Sequence, residues 1–277
     1  MVSVEVVSRS PEEITVILRD VPLEYANALR RASLEEVPTM AIDYVVFYDN
    51  TSALSDEIVA HRLAMIPLAS EKALDRYKPP EVCGEGKQVD GCYTSLYLEA
   101  EAGPGEFLAV YSDKLMPQED PDVVPIRGDI PLVMLGPGQR VVLEAWARLG
   151  RGREHAKWSP ATVASLTYLA LISIDRGRCT RCGLCAERCP TGAIRVVNGE
   201  LVVREDLCNL CRQCVRACEP EALSLSWRRD AYRLHIESSG ALSPERILVQ
   251  SVIEVRRKLV EFYENLEKVL SGAGGGS

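Results

Sequence analysis

The sequence predicts an α+β fold, and three observations carry that reading. Two runs of alternating apolar and polar residues near the N-terminus precede a helical pattern. A further alternating run near the C-terminus precedes a much longer helical pattern. Between them lie mostly strand- and turn-like segments, and a stretch from Cys179 to Cys218 that holds eight of the ten cysteines. A chain of 277 residues suggests two or three domains. Apolar residues at 47% and charged residues at 26% describe an ordinary globular composition. The formal net charge of −8 argues against a free-standing nucleic-acid binder. The start, Met1-Val-Ser-Val-Glu-Val-Val7, has no basic region and is not a secretory signal. The most apolar run, residues 163–174, is too short and too rich in hydroxyls to span a bilayer. The expectation is a cytoplasmic protein with no membrane contact, ending in a flexible Gly-rich tail over residues 272–277.

In chain order, residues 3–9 and 14–19 alternate around Ser10-Pro11 and predict a β-hairpin. Asp20 offers an N-cap and Pro22 a first-turn residue for a helix over residues 22–37. Tyr25, Ala28, Leu29 and Ala32 fall at i, i+3, i+4 and i+7, which predicts their burial. Arg30 and Arg31 lie off that stripe, where a solvated face is the ordinary fate of arginines. Pro38 ends the helix, and residues 41–47 read as a strand.

Asn27-Ala-Leu-Arg-Arg31 and Val37-Pro-Thr-Met-Ala-Ile-Asp43 resemble the opening of the RNA polymerase assembly subunits. That family comprises the bacterial alpha subunit and its archaeal and eukaryotic counterparts. Asn50-Thr-Ser-Ala-Leu-Ser-Asp-Glu-Ile-Val-Ala-His-Arg-Leu-Ala-Met-Ile-Pro-Leu68 is closer still to the family signature. Read physically, Ser55 or Asp56 caps a helix that turns Ile58, Leu63 and Ile66 inward and leaves His61 and Arg62 lateral. No second His or Cys stands at ligand spacing from His61, which favours a packed or interfacial histidine over a metal ligand. By the resemblance, Arg30, Arg31 and Arg62 touch a large catalytic subunit or shape the helix that does.

Residues 71–105 read as polar and loop-rich. Cys83 and Cys92, with eight residues between them, are open to a local disulfide or to free thiols; in some relatives a richer cysteine set holds zinc here. Residues 128–152 read as strands and turns, with clear alternation over 141–148. They lead into Gly150-Arg-Gly-Arg-Glu-His-Ala-Lys-Trp-Ser-Pro160. Two glycines with Arg151, Arg153 and Lys157 would fit a phosphate cradle, but G-x-G without a third glycine or a strand-to-helix context is a weak signal. The resemblance instead matches a block that packs against the large catalytic subunits.

After a strand-like run over 166–174, the cysteine stretch is written twice. Cys179-Thr-Arg-Cys182-Gly-Leu-Cys185-Ala-Glu-Arg-Cys189-Pro190 recurs 29 positions on as Cys208-Asn-Leu-Cys211-Arg-Gln-Cys214-Val-Arg-Ala-Cys218. Ala193-Ile194 maps in the same way onto Ala222-Leu223. The spacing C-x2-C-x2-C-x3-C resembles the bacterial two-cluster ferredoxins, in which the fourth ligand of each [4Fe–4S] cluster comes from the other copy. That resemblance implies Cys179, Cys182, Cys185 and Cys218 on one cluster, and Cys208, Cys211, Cys214 and Cys189 on the other. Structural zinc favours two separated C-x2-C pairs, and a disulfide framework requires an oxidising compartment. One departure is that Glu219 intervenes before Pro220, whereas Pro190 directly follows Cys189. The module's hairpin, over 193–204, turns at Asn198-Gly199, and alternation resumes over 224–236.

Ser243 caps the final helix, Pro244 opens it, and the pattern runs to Leu270. Leu248, Val252, Val255, Leu259, Phe262, Leu266 and Val269 form one apolar seam. Val249, Ile253, Val260, Tyr263 and Leu270 form a second. Two seams along about 40 Å of helix are more apolar width than one sheet face covers, which predicts a partner surface.

The resemblance covers nearly the whole chain, and the cysteine module likens it to the archaeal, alpha-like members rather than the bacterial alpha subunit. It implies a discontinuous dimerisation domain (residues 1–40 with 226–271), an inserted mostly-β domain (41–167) and an inserted two-cluster ferredoxin-like domain (168–225). It further implies a non-catalytic assembly subunit that pairs with the small subunit L, binds subunit N and docks the large catalytic subunits, without direct DNA binding. The alternative is an iron–sulfur electron-transfer subunit of an oxidoreductase. Against it, no complete dinucleotide fingerprint and no Ser/His/Asp or Cys/His constellation is present, and a redox relay does not require the double-seamed helix.

Overall fold

The chain mixes helices and strands, and a computed structural model describes residues 1–83 and 90–271. The tail expected to be flexible, residues 272–277, lies outside the described residues. In order, the elements are β1 (Ser3–Arg9), β2 (Glu13–Arg19), α1 (Leu23–Glu35), β3 (Thr39–Asn50), α2 (Asp56–Ala64), α3 (Ala73–Arg76) and β4 (Tyr93–Glu101). There follow β5 (Leu108–Tyr111), β6 (Met116–Pro117), β7 (Pro131–Leu135), β8 (Arg140–Gly150) and β9 (Ala161–Ile174). The last third holds α4 (Leu184–Glu187), β10 (Ile194–Val197), β11 (Glu200–Val203), α5 (Gln213–Arg216), β12 (Leu223–Ser238) and α6 (Pro244–Leu270). Among the described residues no helix is long and apolar enough to cross a membrane. The chain divides into two units, residues 1–30 with 164–236, and residues 31–163 with 237–277.

The first unit contains a four-stranded sheet in the order β1-β2-β12-β9. The N-terminal hairpin pairs Ser3 with Arg19 through to Arg9 with Ile14, with a register shift between Val6 and Ser8. Residues 14–18 of β2 are all buried, so both faces of this strand are covered and the expected alternation is lost. Asp20 is not the cap of α1: it sits at φ 56°, in a left-handed turn, and the helix begins at Leu23. The buried positions of α1 are Ala26, Leu29, Ala32 and Ser33, while Tyr25 is 38% exposed. The inward stripe therefore starts one residue later than the pattern predicts, because Ala26 and Ser33 are small enough to pack closely and Tyr25 is not. The β10–β11 hairpin turns at Asn198 (φ 52°) and Gly199 (φ 79°), as its sequence predicts for a primed turn.

The second unit is built on a sheet in the order β3-β8-β4-β6, with a β5–β7 ribbon and α2. β8 is its spine, pairing Thr39 with Gly150 on one side and Tyr93 with Arg148 on the other. Leu96, Leu98, Leu143 and Leu149 meet Val59, Leu63, Ile66 and Leu132 in one core. β4 corrects the loop-rich reading of residues 71–105: Thr94, Leu96, Leu98 and Ala100 alternate inward along a strand paired on both edges. In α2 the buried residues are Val59 and Leu63, and Ile58 is 50% exposed. Ile66 is buried, but beyond the helix end at Ala64. Cys83 and Cys92 form a disulfide, which resolves that alternative.

α6 runs as its sequence predicts, with Ser243 Oγ accepting the Arg246 amide at 3.3 Å and Pro244 in the first turn. Its buried residues are Pro244, Ile247, Ser251 and Glu254, two apolar and two polar.

Candidate metal centre and partner surface

Each cysteine loop leads into a one-turn helix, α4 or α5, that carries Cys185 or Cys214 inward. These two pack with Ile194 and Leu223 in a small core. All four are related in pairs by the 29-residue repeat, so the module's interior is built from equivalent positions of both copies.

One small pocket is lined by Cys179, Cys182, Cys185 and Cys218, with Ile174, Leu201 and Leu223 among its apolar walls. A second is lined by Cys189, Cys208, Cys211 and Cys214, with Ile172, Ile194 and Leu225. The eight cysteines are thus gathered four to a cavity, three from one copy and one from the other. None of the eight is disulfide-bonded. Cys185, Cys208 and Cys214 are buried, and Cys182 and Cys211 are exposed.

Burial pushes the Cys185 thiol up, and Cys182 and Cys218 in the same cavity push it further. Burial likewise raises Cys208 and Cys214, reinforced in both by Cys189 and Cys211. Burial also acts upward on Cys189, but the Ile194 amide, the Thr191 hydroxyl and amide and the Ala193 amide outweigh it and hold this thiol below its ordinary value. The Leu210 amide donates to Cys208 Sγ at 3.4 Å. Neither cavity is lined by histidine or carboxylate, so the donor set is sulfur alone. Soft thiolates converging four at a time, with amides directed at sulfur, fit an iron–sulfur cluster.

The other predicted site residues are dispersed. On α6, Val252, Leu259, Phe262, Leu266 and Val269 are exposed by 39–70%, as are Val249, Ile253, Val260 and Tyr263 of the second seam by 48–58%. Leu270 is more exposed still, whereas Leu248 and Val255 are half-buried. Arg30 donates to Asn27 Oδ1 at 2.9 Å, Arg31 pairs with Glu35 at 3.2 Å, and Arg62 donates to the Pro131 carbonyl at 2.6 Å. His61 is exposed.

The segment from Gly150 is not a phosphate cradle. A Cβ at Gly150 would lie 2.3 Å from the Trp158 ring, and one at Gly152 only 2.1 Å from the Leu34 carbonyl oxygen. Arg148 and Arg151 are buried and held by carboxylates: Arg148 by Asp43 and Glu154, Arg151 by Glu81 and Glu254. Lys157 pairs with Asp43 at 3.1 Å, and Lys157 and Arg148 both lie over the Trp158 ring.

Residues 44–175 match the RNA polymerase Rpb3/RpoA insert domain, and residues 172–195 match a 4Fe-4S binding domain. The second match spans the first cysteine copy. The chain is 35% identical to the DNA-directed RNA polymerase subunit Rpo3 of Aeropyrum pernix, over 96% of each chain. It is 36% identical to the Rpo3 subunit of Methanosarcina mazei, over 96% of this chain and 98% of that one. The chain belongs to the Rpo3 family of DNA-directed RNA polymerase subunits. The family likeness extends to the DNA-directed RNA polymerase II subunit rpb3 of Dictyostelium discoideum, at 31% identity over 93% of this chain and 92% of that one. The 4Fe-4S match and the grouped cysteines together assign iron–sulfur chemistry to this Rpo3-family chain.

What sequence reasoning missed is the carboxylate set around the two buried arginines. Glu81, Glu254 and Asp43 lie far from Arg148 and Arg151 along the chain and follow no local period. Glu254 is one of five glutamates in α6, and nothing in the local pattern sets it apart from the other four.

Proposed function

We propose that the chain is a non-catalytic assembly platform of an archaeal DNA-directed RNA polymerase, acting in the cytoplasm. The observation that carries this reading is the exposure of α6: its buried residues, Pro244, Ile247, Ser251 and Glu254, all lie in its N-terminal half, while most of its two apolar seams face solvent. A helix of 27 residues that presents its apolar width outward loses stability in water unless a partner covers it. The partner is the small subunit L, and the pair then takes up subunit N and the large catalytic subunits. Residues 1–40 with 226–271 form the dimerisation domain, 41–167 the insert and 168–225 the ferredoxin-like domain. The electron-transfer alternative is not favoured, since relatives matched over the whole length are polymerase subunits.

Two [4Fe–4S] clusters fit the module, one held by Cys179, Cys182, Cys185 and Cys218, the other by Cys208, Cys211, Cys214 and Cys189. Bound there, each supplies a four-way covalent cross-link with an accessible one-electron couple. A module of under 60 residues has little core of its own, so that cross-link supplies much of its folding free energy.

Co-expression with the small partner tests the platform directly. A soluble 1:1 heterodimer is expected, abolished by Leu259→Asp with Phe262→Asp. Glutamate at Arg30 and Arg31 is expected to leave that heterodimer intact and to prevent its capture by the large subunits. A stable monomer that ignores the small subunit overturns the reading.

A further inference from the structure

The two cysteine loops share a backbone path but not the residues that suit it. Left-handed φ values recur at the 29-residue spacing: 58° at Arg181 and 60° at Leu210, 79° at Gly183 and 61° at Arg212, 66° at Gly192 and 50° at Glu221. At the first pair both copies carry a side chain, so the cost is common to them. At the other two pairs one copy has glycine and the other does not. An L residue in this region presses its Cβ towards the following carbonyl oxygen, and glycine escapes that contact. Asn and Asp relieve it by local hydrogen bonds, whereas Arg and Glu have no such recourse.

The crossing of the fourth cysteines distributes these exceptions one to each cavity. Arg212 lies between Cys211 and Cys214 and lines the second cavity. Glu221 belongs to the second copy by sequence, but its amide donates to the Cys218 carbonyl at 2.9 Å, closing the turn that carries Cys218 into the first cavity. The glycines divide the opposite way. Gly183 lines the first cavity, and the Gly192 amide donates to the Cys189 carbonyl at 3.3 Å beside the second.

We propose that Arg212 and Glu221 are positioning residues that set how firmly each site retains its cluster. Arg212 acts on the site of Cys208, Cys211, Cys214 and Cys189, and Glu221 on the site of Cys179, Cys182, Cys185 and Cys218. This rests on the two-cluster reading above. Loading a cluster orders its loop, so the left-handed residue costs free energy in the loaded state and little in a loose empty one. Glycine removes the Cβ contact but gives the empty loop more freedom. The net gain in retention is about threefold.

The experiment uses full-length chains with one site disabled. Serine at Cys208, Cys211 and Cys214 leaves the first site, and serine at Cys179, Cys182 and Cys185 leaves the second. Each chain is reconstituted anaerobically with iron and sulfide, then challenged with an iron chelator while the sulfide-to-iron absorption is followed. In the first-site chain, Glu221→Gly slows bleaching about threefold and Arg212→Gly leaves it unchanged; in the second-site chain the two exchange roles. Arg212→Ala removes the charge but keeps the Cβ, and is expected to leave the rate alone. Gly183→Ala adds a Cβ whose nearest neighbour is Val196 Cγ2 at 3.8 Å, so its effect comes from the backbone, and it speeds loss from the first site only. Glycine variants with no effect, or with equal effects in both chains, overturn the proposal. Starting chains that take up no iron overturn the two-cluster reading and the proposal with it, and that failure is seen before any glycine is introduced.

Discussion

Arg151 Nη1 lies 2.9 Å from Glu254 Oε2, and the two side chains are 2% and 6% exposed. The same guanidinium meets Glu81 at 2.9 Å and the Glu36 carbonyl, and the same carboxylate accepts from Arg257 Nε at 3.0 Å. This polar anchor explains how α6 can bury Ser251 and Glu254 while its apolar seams stay outside. Removing Glu254 leaves Arg151 with Glu81 as its one remaining carboxylate, and the lost buried charge-assisted bond costs about 1–3 kcal/mol. Glu254→Ala is therefore expected to lower unfolding stability by that amount. The double change Arg151→Met with Glu254→Leu is expected to recover most of it, because an apolar pair of similar volume replaces a buried ion pair at little net cost. Denaturant titration of the four chains of that cycle measures both effects.

Asp43 supplies the pH dependence. Burial acts to raise its carboxyl, but hydrogen bonds and charge from Arg148 and Lys157 outweigh burial and hold it below its ordinary value of 3.8. A depressed folded value means that the contribution is fully present above pH 3.8 and is lost as pH falls through the lower folded value. Glu81 behaves alike: its own backbone amide, Arg151 and Arg257 outweigh burial. Asp43→Asn is expected to lower stability at neutral pH and to make the loss below about pH 4 shallower than in the unaltered chain. Urea midpoints at pH 7 and pH 3 decide this, and identical acid limbs in the two chains would refute it.

The glycines beginning at 150 make a steric prediction. Gly150→Ala drives a methyl group into the Trp158 ring, and Gly152→Ala drives one into the Leu34 carbonyl. Overpacking of this kind costs about 1–3 kcal/mol. Gly152→Ala is expected to be the worse of the two, since its obstacle is backbone and cannot rotate away. Thermal unfolding midpoints rank them.

The parts of this molecule legible in its sequence are those whose signal is local. The Asn198-Gly199 turn and the Ser243-Pro244 start of α6 each occupy a few adjacent residues and form as their patterns predict, and the duplicated cysteine spacing is local in the same way, its cysteines lining two pockets four at a time. The phase of the shorter helices was less legible. In α1 the apolar Tyr25 points outward while Ser33 is buried, and in α2 Ile58 yields the inward position to Val59. In such helices several adjacent positions are apolar, and tertiary packing chooses among stripes that local periodicity cannot separate. β4 escaped notice because its neighbours are polar, although its own alternation is clean. Arg151 and Glu254 are 103 residues apart, and no periodicity connects them.

The last prediction separates a structural from a redox role for the cysteine module. Its core is small, with Cys185, Cys214, Ile194 and Leu223 at the centre, and two of those four are proposed ligands. Losing a cluster then removes the cross-link and unsatisfies the interior in one step. Serine at Cys179, Cys182 and Cys185 is expected to remove the absorption of one cluster and to raise protease sensitivity between residues 174 and 226. Serine at Cys208, Cys211 and Cys214 is expected to do the same to the other. The exposed seams of α6 contain no cysteine, so pairing with the small subunit persists in both variants while capture by the large subunits weakens. Limited proteolysis, absorption spectra and pull-down of the large subunits read the three effects separately. Unchanged proteolysis and assembly, together with loss of an electron-transfer activity, would move the clusters from scaffold to relay.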